Sequence, residues 1–295
     1  MPALLAMIIP MRRLLGYIAT ILVLLLVVEF LYFFTKKPEA NRAWLPEQSR
    51  TAYALDTGNL VTIFNMRDWT YGTSAPATTE WRTVTIDPAT IVRTWFLIEP
   101  FSDWEAVGHT FLSFELEDGS AYSFSVEARR ETHETYSAVR GLLREYELSY
   151  QWGTERDFVT RRLLYLDHPL RLYPLELEPA ASQALFRSLI AETNALAERP
   201  RFYNTLAANC TNVLAKIVNR HYPDTLPLHH SWYLTGYADR YLMDEGLIPS
   251  AGPPEETMAL YDLTPHRAEI AGQATALPPA FSKELRRLIG PTETP

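Results

Sequence analysis

The spacing of apolar and polar residues changes several times along the chain, and each change predicts an element. Leu14 to Phe34 is a largely apolar run of 21 residues with one charge, Glu29. At ~1.5 Å per residue such a run crosses a hydrocarbon core about 30 Å thick, which predicts a membrane-spanning helix. Arg12 and Arg13 precede it, and Lys36 and Lys37 follow. These basic flanks balance, so the short N-terminal tail decides the orientation and puts the N-terminus in the cytoplasm. A cleavable leader would have a shorter apolar run and a small-residue cleavage site. Tyr32-Phe33-Phe34-Thr35 lacks that pattern, so 1–38 is expected to be an uncleaved anchor. Glu29 falls near the outer end, within reach of the interface.

Beyond the anchor, 39–59 is polar and turn-rich and reads as a linker. Val61 to Asn65 alternates like a strand, Tyr71 to Glu80 reads as a Thr/Ala/Pro-rich loop, and Arg93 to Ile98 is β-type. Leu170 to Leu177 predicts a further strand. Helical spacing follows in Pro179 to Ala197 and again in Asn209 to His221, where Val213, Leu214, Ile217 and Val218 share a face. Asn209 suits an N-cap, and Pro223 lies just past the expected end. Residues 251–295 read as a tail with at most a short helix near Phe281 to Ile289. The folded part is expected over 60–250 as one α+β domain, with no internal repeat.

The strands on either side of Asp118-Gly119 have a determinable register. Leu112, Phe114 and Leu116 are apolar, and so are Tyr122, Phe124, Val126 and Ala128. Directly opposed residues share a face, so even positions pair with even ones. That requires an odd loop, such as three residues with a left-handed glycine. His109, Ser113, Ser125, Glu127 and Arg129 then share the other, polar face, with His109 beside or diagonal to Glu127.

Composition narrows the chemistry. Of the 295 residues, 47% are hydrophobic, enough for a real core, and the net charge of −8 argues against nucleic-acid binding. Cys210 is the only cysteine, which excludes an internal disulfide and a multi-thiolate zinc site. An unpaired thiol outside the cytoplasm is prone to oxidation and needs a reason to be there. Cys210 falls in the first turn of the helix capped by Asn209, where the helix dipole favours the thiolate. His109 is the candidate base, with Glu127, or alternatively Ser125, orienting its ring. The Cys210 N–H and one further donor would bind an oxyanion.

Each of these residues also has a structural reading. A cysteine at a helix start is more often a packing residue, and a lone strand histidine is more often structural. His221, His229 and His230 lack ligand spacing, so no metal and no cofactor is expected. Glu155, Arg156, Asp157 and Arg161 read first as a buried ion-pair network and second as a polar headgroup site. Arg129 and Arg130 either neutralise a phosphate or are solvated strand ends. Trp69, Trp95, Trp104 and Trp152 suit an interface, although core packing is their ordinary role.

Several stretches resemble the Lnb N-terminal periplasmic domain family. They are Val61 to Asp68, Gly108 to Phe114, Ser125 to Glu131, Glu155 to Asp157, Tyr203 to Leu206 and Asn209-Cys210-Thr211. The resemblance implies a circularly permuted papain-like (NlpC/P60-like) fold, with the histidine strand before the cysteine helix, similar to the lecithin–retinol acyltransferase group. It further implies N-acylation of bacterial lipoproteins at the inner membrane, facing the periplasm. An acyl chain would pass from a phospholipid to Cys210 and then to the α-amino group of a diacylglyceryl-cysteine. By motif, Cys210 is the nucleophile and His109 the base, while Tyr203, Asn209, Arg129, Glu155, Arg156 and Asp157 are substrate-binding or structural. Compared with fuller family members, no additional C-terminal domain is read here. A papain-like peptidase, amidase or esterase would use the same Cys–His pair, and a binding module would not need it.

Overall fold

The structure is a computed structural model describing residues 2–39, 41–72, 76–222, 225–250 and 252–290. It divides into two units, Met1–Glu39 and Ala40–Pro295. The first is a single helix, α1 (Pro2–Thr35). Its Met11–Thr35 stretch has a mean hydropathy of 2.6 and none of it is buried, which matches a helix apolar on every side and long enough to span a bilayer.

The second unit is α+β, built on an eight-stranded sheet. The strands are β1 (Tyr53–Asp56), β2 (Val61–Tyr71), β3 (Pro76–Ile86), β4 (Ile91–Pro100), β5 (Gly108–Leu116), β6 (Ala121–Arg129), β7 (Glu147–Thr154) and β8 (Arg171–Pro174). Their order is β1-β2-β7-β6-β5-β4-β8, with β3 also paired to β2. The β2–β7 contact is parallel and the other pairings are antiparallel.

The register at the centre of the sheet follows the sequence pattern. Leu112 faces Phe124 and Phe114 faces Tyr122, so even positions pair with even ones. The connection is Glu117-Asp118-Gly119, closed by a Leu116 N–H bond to the Ser120 carbonyl of 2.8 Å, with Gly119 at φ +84°. A side chain at that left-handed position would be strained and would collide with Lys283.

Helices cover both sides of the sheet, and the short α2 (Ala138–Leu142) and α6 (Ala238–Asp244) lie in the connections. On the even face lie α4 (Pro179–Glu198) and α5 (Cys210–His221). There Phe186 packs edge-on against Phe114 and Trp152, each at 5.4 Å between centroids. The odd face is also buried, beneath α3 (Glu155–Thr160) and the π-turn Arg161–Tyr165 that continues it. Phe158 meets Phe111 at 5.7 Å, and the Arg162 guanidinium lies 4.1 Å from the Phe111 ring. The polar stripe of the sequence is therefore an internal polar layer.

Three sequence expectations are corrected. Residues 41–59 belong to the folded unit rather than to a linker. Trp44 is buried, β1 pairs with β2, and the Gln48 amide accepts from Arg130 N–H at 2.8 Å and donates to the Ala128 carbonyl at 3.3 Å. That side chain serves as a strand partner at the end of β6, which hydropathy does not register. The expected loop Tyr71 to Glu80 is mostly strand, because threonine-rich sequence suits an exposed β-hairpin; residues 73–75 lie outside the described set. The expected tail folds as α7 (Pro254–Leu260), α8 (Arg267–Gly272) and α9 (Pro278–Leu288), burying Ile270, Phe281 and Leu285. Pro223 and the side chain of His221 lie outside the described residues.

Candidate active site

Cys210 opens α5, and the local sequence fixes that start. The Asn209 side chain accepts from the N–H groups of Thr211 at 3.0 Å and Asn212 at 2.8 Å, and Asn212 Oδ1 accepts from Asn209 N–H at 3.1 Å. This reciprocal cap satisfies the next two helical N–H groups. Among the described residues the Cys210 N–H has no acceptor, so one donor remains beside the thiol. Asn209 Nδ2 also donates to the carbonyls of Thr205 at 2.8 Å and Trp232 at 2.9 Å, tying the helix start to two loops.

β5 and β6 supply the remaining groups. His109 Nε2 lies 2.7 Å from Ser125 Oγ and 3.2 Å from Glu127 Oε1. Ser125 Oγ donates its one proton to Glu127 Oε1 at 2.7 Å, so it accepts from Nε2–H. That fixes the tautomer and leaves Nδ1 as the ring nitrogen for Cys210, whose charge is coupled to that of His109; Cys210 Sγ lies 3.9 Å from Thr211 Oγ1 and 4.0 Å from the Gly108 carbonyl. Glu127 and Ser125, alternatives in the sequence, act together, and Ser125 is the closer contact.

The electrostatics favour the charged pair. Burial would lower the His109 pKa, but the Glu127 carboxylate and the bond to Cys210 outweigh it and push it up to about 10. Burial would raise the Cys210 thiol, yet the hydrogen bond and charge of His109 bring it below the ordinary value. Glu127 is held well below the carboxylate range: burial opposes ionisation, but His109, Arg162 and Ser125 together prevail.

Sequence reasoning missed the support beneath this site. Arg162, almost wholly buried, bridges Glu99 Oε2 at 2.7 Å and Glu127 Oε1 at 3.2 Å, and donates to the Phe158 carbonyl at 3.1 Å. Glu99 lies opposite His109 in the β4–β5 ladder and also contacts His168 Nδ1 at 2.6 Å. The available signal was charge directly against apolar runs, Glu99 after Leu97-Ile98 and Arg161-Arg162 before Leu163-Leu164.

Other sequence candidates divide between structure and cleft. Asp157 is clamped by Arg67 at 2.7–2.9 Å and accepts from Trp69 N–H at 2.7 Å. Arg156 pairs with Asp68 at 2.6 Å, and Glu155 pairs with Arg286 at 2.8 Å. These three form the buried network of the first reading. Arg129 bonds the carbonyls of Gln48 and Ser49 and stacks on Trp44 at 4.3 Å, so it is structural. Trp69, Trp95 and Trp152 are core, whereas Trp104 is 61% exposed. Tyr203 joins Cys210 in lining a cleft of about 830 Å³ that also holds His109 and Glu127. One wall of it depends on Gly236, where any Cβ would run into the Glu105 carbonyl.

A protein-family model, the Lnb N-terminal periplasmic domain, matches residues 77–235, more than half of the chain. The chain belongs to the Lnb N-terminal periplasmic domain family. The match spans His109, Ser125, Glu127, Arg162, Asn209 and Cys210, so the whole Lnb-type cleft lies within it. Arg67 and Asp68 fall outside it, although they complete the buried network. The family and the apolar α1 together fit a membrane-anchored protein with a periplasmic domain. No curated protein and no solved structure matches the chain.

Proposed function

We propose that this protein is a thiol acyltransferase of the inner membrane that N-acylates lipoproteins, on a circularly permuted papain-like arrangement with the histidine strand ahead of the cysteine helix. The observation that carries the reading is the single thiol at a capped helix start, sharing one cleft with a histidine to which its charge is coupled and whose far nitrogen is held by Ser125 and Glu127. Such a pair rests as thiolate and imidazolium, the form that attacks an ester.

The thiolate of Cys210 attacks the ester carbonyl of a phospholipid acyl chain. The oxyanion that develops is met by the Cys210 N–H. The intermediate collapses, His109 gives its proton to the departing glycerol oxygen, and a lysophospholipid leaves behind a thioester. The α-amine of a diacylglyceryl-cysteine then attacks the thioester. His109 takes the amine proton, the amide forms, and the thiolate is restored. Family membership and the apolar helix support this acceptor over a soluble one, since both substrates are lipids held at a bilayer.

The test is mass spectrometry of a reporter lipoprotein's N-terminal peptide, from cells lacking their own N-acyltransferase and supplied with this protein. A third acyl chain is expected with the wild type and not with Cys210→Ala. No added chain, with both proteins well expressed in the membrane, would favour the papain-like hydrolase instead.

A further inference from the structure

The cleft is rich in charged side chains. Three arginines, Arg130, Arg161 and Arg162, line it against two glutamates, Glu99 and Glu127, while the chain as a whole carries −8. Arg162 is consumed by both glutamates, and Arg161 pairs with Glu47 at 3.1 Å. Arg130 differs. Its backbone is fixed, with N–H bonded to Gln48 and carbonyl to Leu45 N–H, but its guanidinium has no acceptor among the described residues. It stands three residues from Glu127, about 10 Å along the strand direction. Arg129, its neighbour in sequence, is spent on the fold.

The same cleft has an apolar mouth. Trp104, Leu206 and Tyr233 line it and are 61%, 52% and 43% exposed. A free cation beside exposed apolar side chains fits a ligand that is both anionic and apolar. We propose that Arg130 binds the phosphodiester of the phospholipid donor and so places the acyl ester at Cys210, an inference that rests on the acyltransferase reading.

The test uses the full chain in mixed micelles and follows Cys210 acylation by intact mass. The donors are a phosphatidylglycerol, the diacylglycerol with the same chains, and 4-nitrophenyl butyrate. Arg130→Ala is expected to reduce kcat/KM for the phospholipid roughly 10-fold or more, as loss of a charge-assisted contact does. Diacylglycerol and nitrophenyl ester should stay within about 2-fold of wild type, and Arg130→Lys should recover part of the loss. The nitrophenyl arm also reports folding, because it needs only the intact Cys–His pair. An unchanged phospholipid rate in Arg130→Ala, or an equal fall for all three donors, would overturn the inference alone. Inhibition of all three donors by millimolar inorganic phosphate, dependent on Arg130, would assign the site to free phosphate and overturn it too. A wild type acylated by the nitrophenyl ester but not by phospholipid would overturn the donor reading and this inference with it.

Discussion

His109 holds the site's balance of charge. Its pKa of about 10 and the lowered value of Cys210 define a window in which thiolate and imidazolium coexist. A raised histidine keeps its proton until the pH passes about 10, and a lowered thiol keeps its charge until the pH falls below its own depressed value. Alkylation of Cys210 by iodoacetamide should therefore proceed at neutral pH in the wild type. In His109→Ala the pair is gone and burial acts alone, so reactivity should appear only on the alkaline side of an ordinary thiol. A profile unchanged by the substitution would remove His109 from the pair. Glu127→Gln should cut acylation by roughly 10²- to 10⁴-fold, as loss of a charged partner behind a catalytic histidine does. Ser125→Ala, which leaves the direct Glu127 contact at 3.2 Å, should cost less. Arg162→Met removes the buried guanidinium that bridges buried Glu99 and half-buried Glu127 and should destabilise the fold by about 3–5 kcal/mol in a urea titration. Little at this scale was legible in full. Cys210, His109 and Glu127 could be named because a helix cap and a strand register each leave a local pattern. Glu99, Arg162 and His168 meet them only through the fold, and no periodicity records that.

At the scale of elements, the β5–β6 hairpin was readable because two alternating runs constrain each other. Its even-to-even register and odd loop follow from parity, and the structure sets the loop at three residues. α4 and α5 were readable for the same reason, each having one continuous apolar face. The segment 41–59 was not, because Gln48 and Trp44 bind through an amide and a ring, neither of which forms a periodic signal. β7, buried on both faces, was passed over between polar neighbours. The cap of α5 is the element whose loss should be felt most at the site. Asn209→Ala removes two cap bonds and two loop bonds and should cost about 1–3 kcal/mol, lowering Tm by several degrees. An unchanged Tm would mean that neither the cap bonds nor the loop bonds of Asn209 contribute to stability.

For the whole molecule, hydropathy found the apolar N-terminal helix and gave the α+β class but misplaced the edges of the folded unit. Polar, proline-rich sequence conceals the α7–α9 region, whose apolar residues are sparse yet well placed: Phe281 and Leu285 are buried, and Arg286 reaches Glu155 and stacks on Trp95 at 4.0 Å. Truncation after residue 250 should thus leave an aggregating protein, whereas a dispensable tail would leave a soluble, reactive one. An acyltransferase of this kind must carry an acyl chain on Cys210 between donor and acceptor. The most direct measurement is peptide mass spectrometry of the full chain after incubation with phospholipid micelles in the absence of any acceptor amine. One acyl adduct is expected on the Cys210 peptide, released by neutral hydroxylamine and missing in His109→Ala. A phospholipid-consuming wild type with Cys210 unmodified, or an adduct that forms equally in His109→Ala, would contradict the acyltransferase reading.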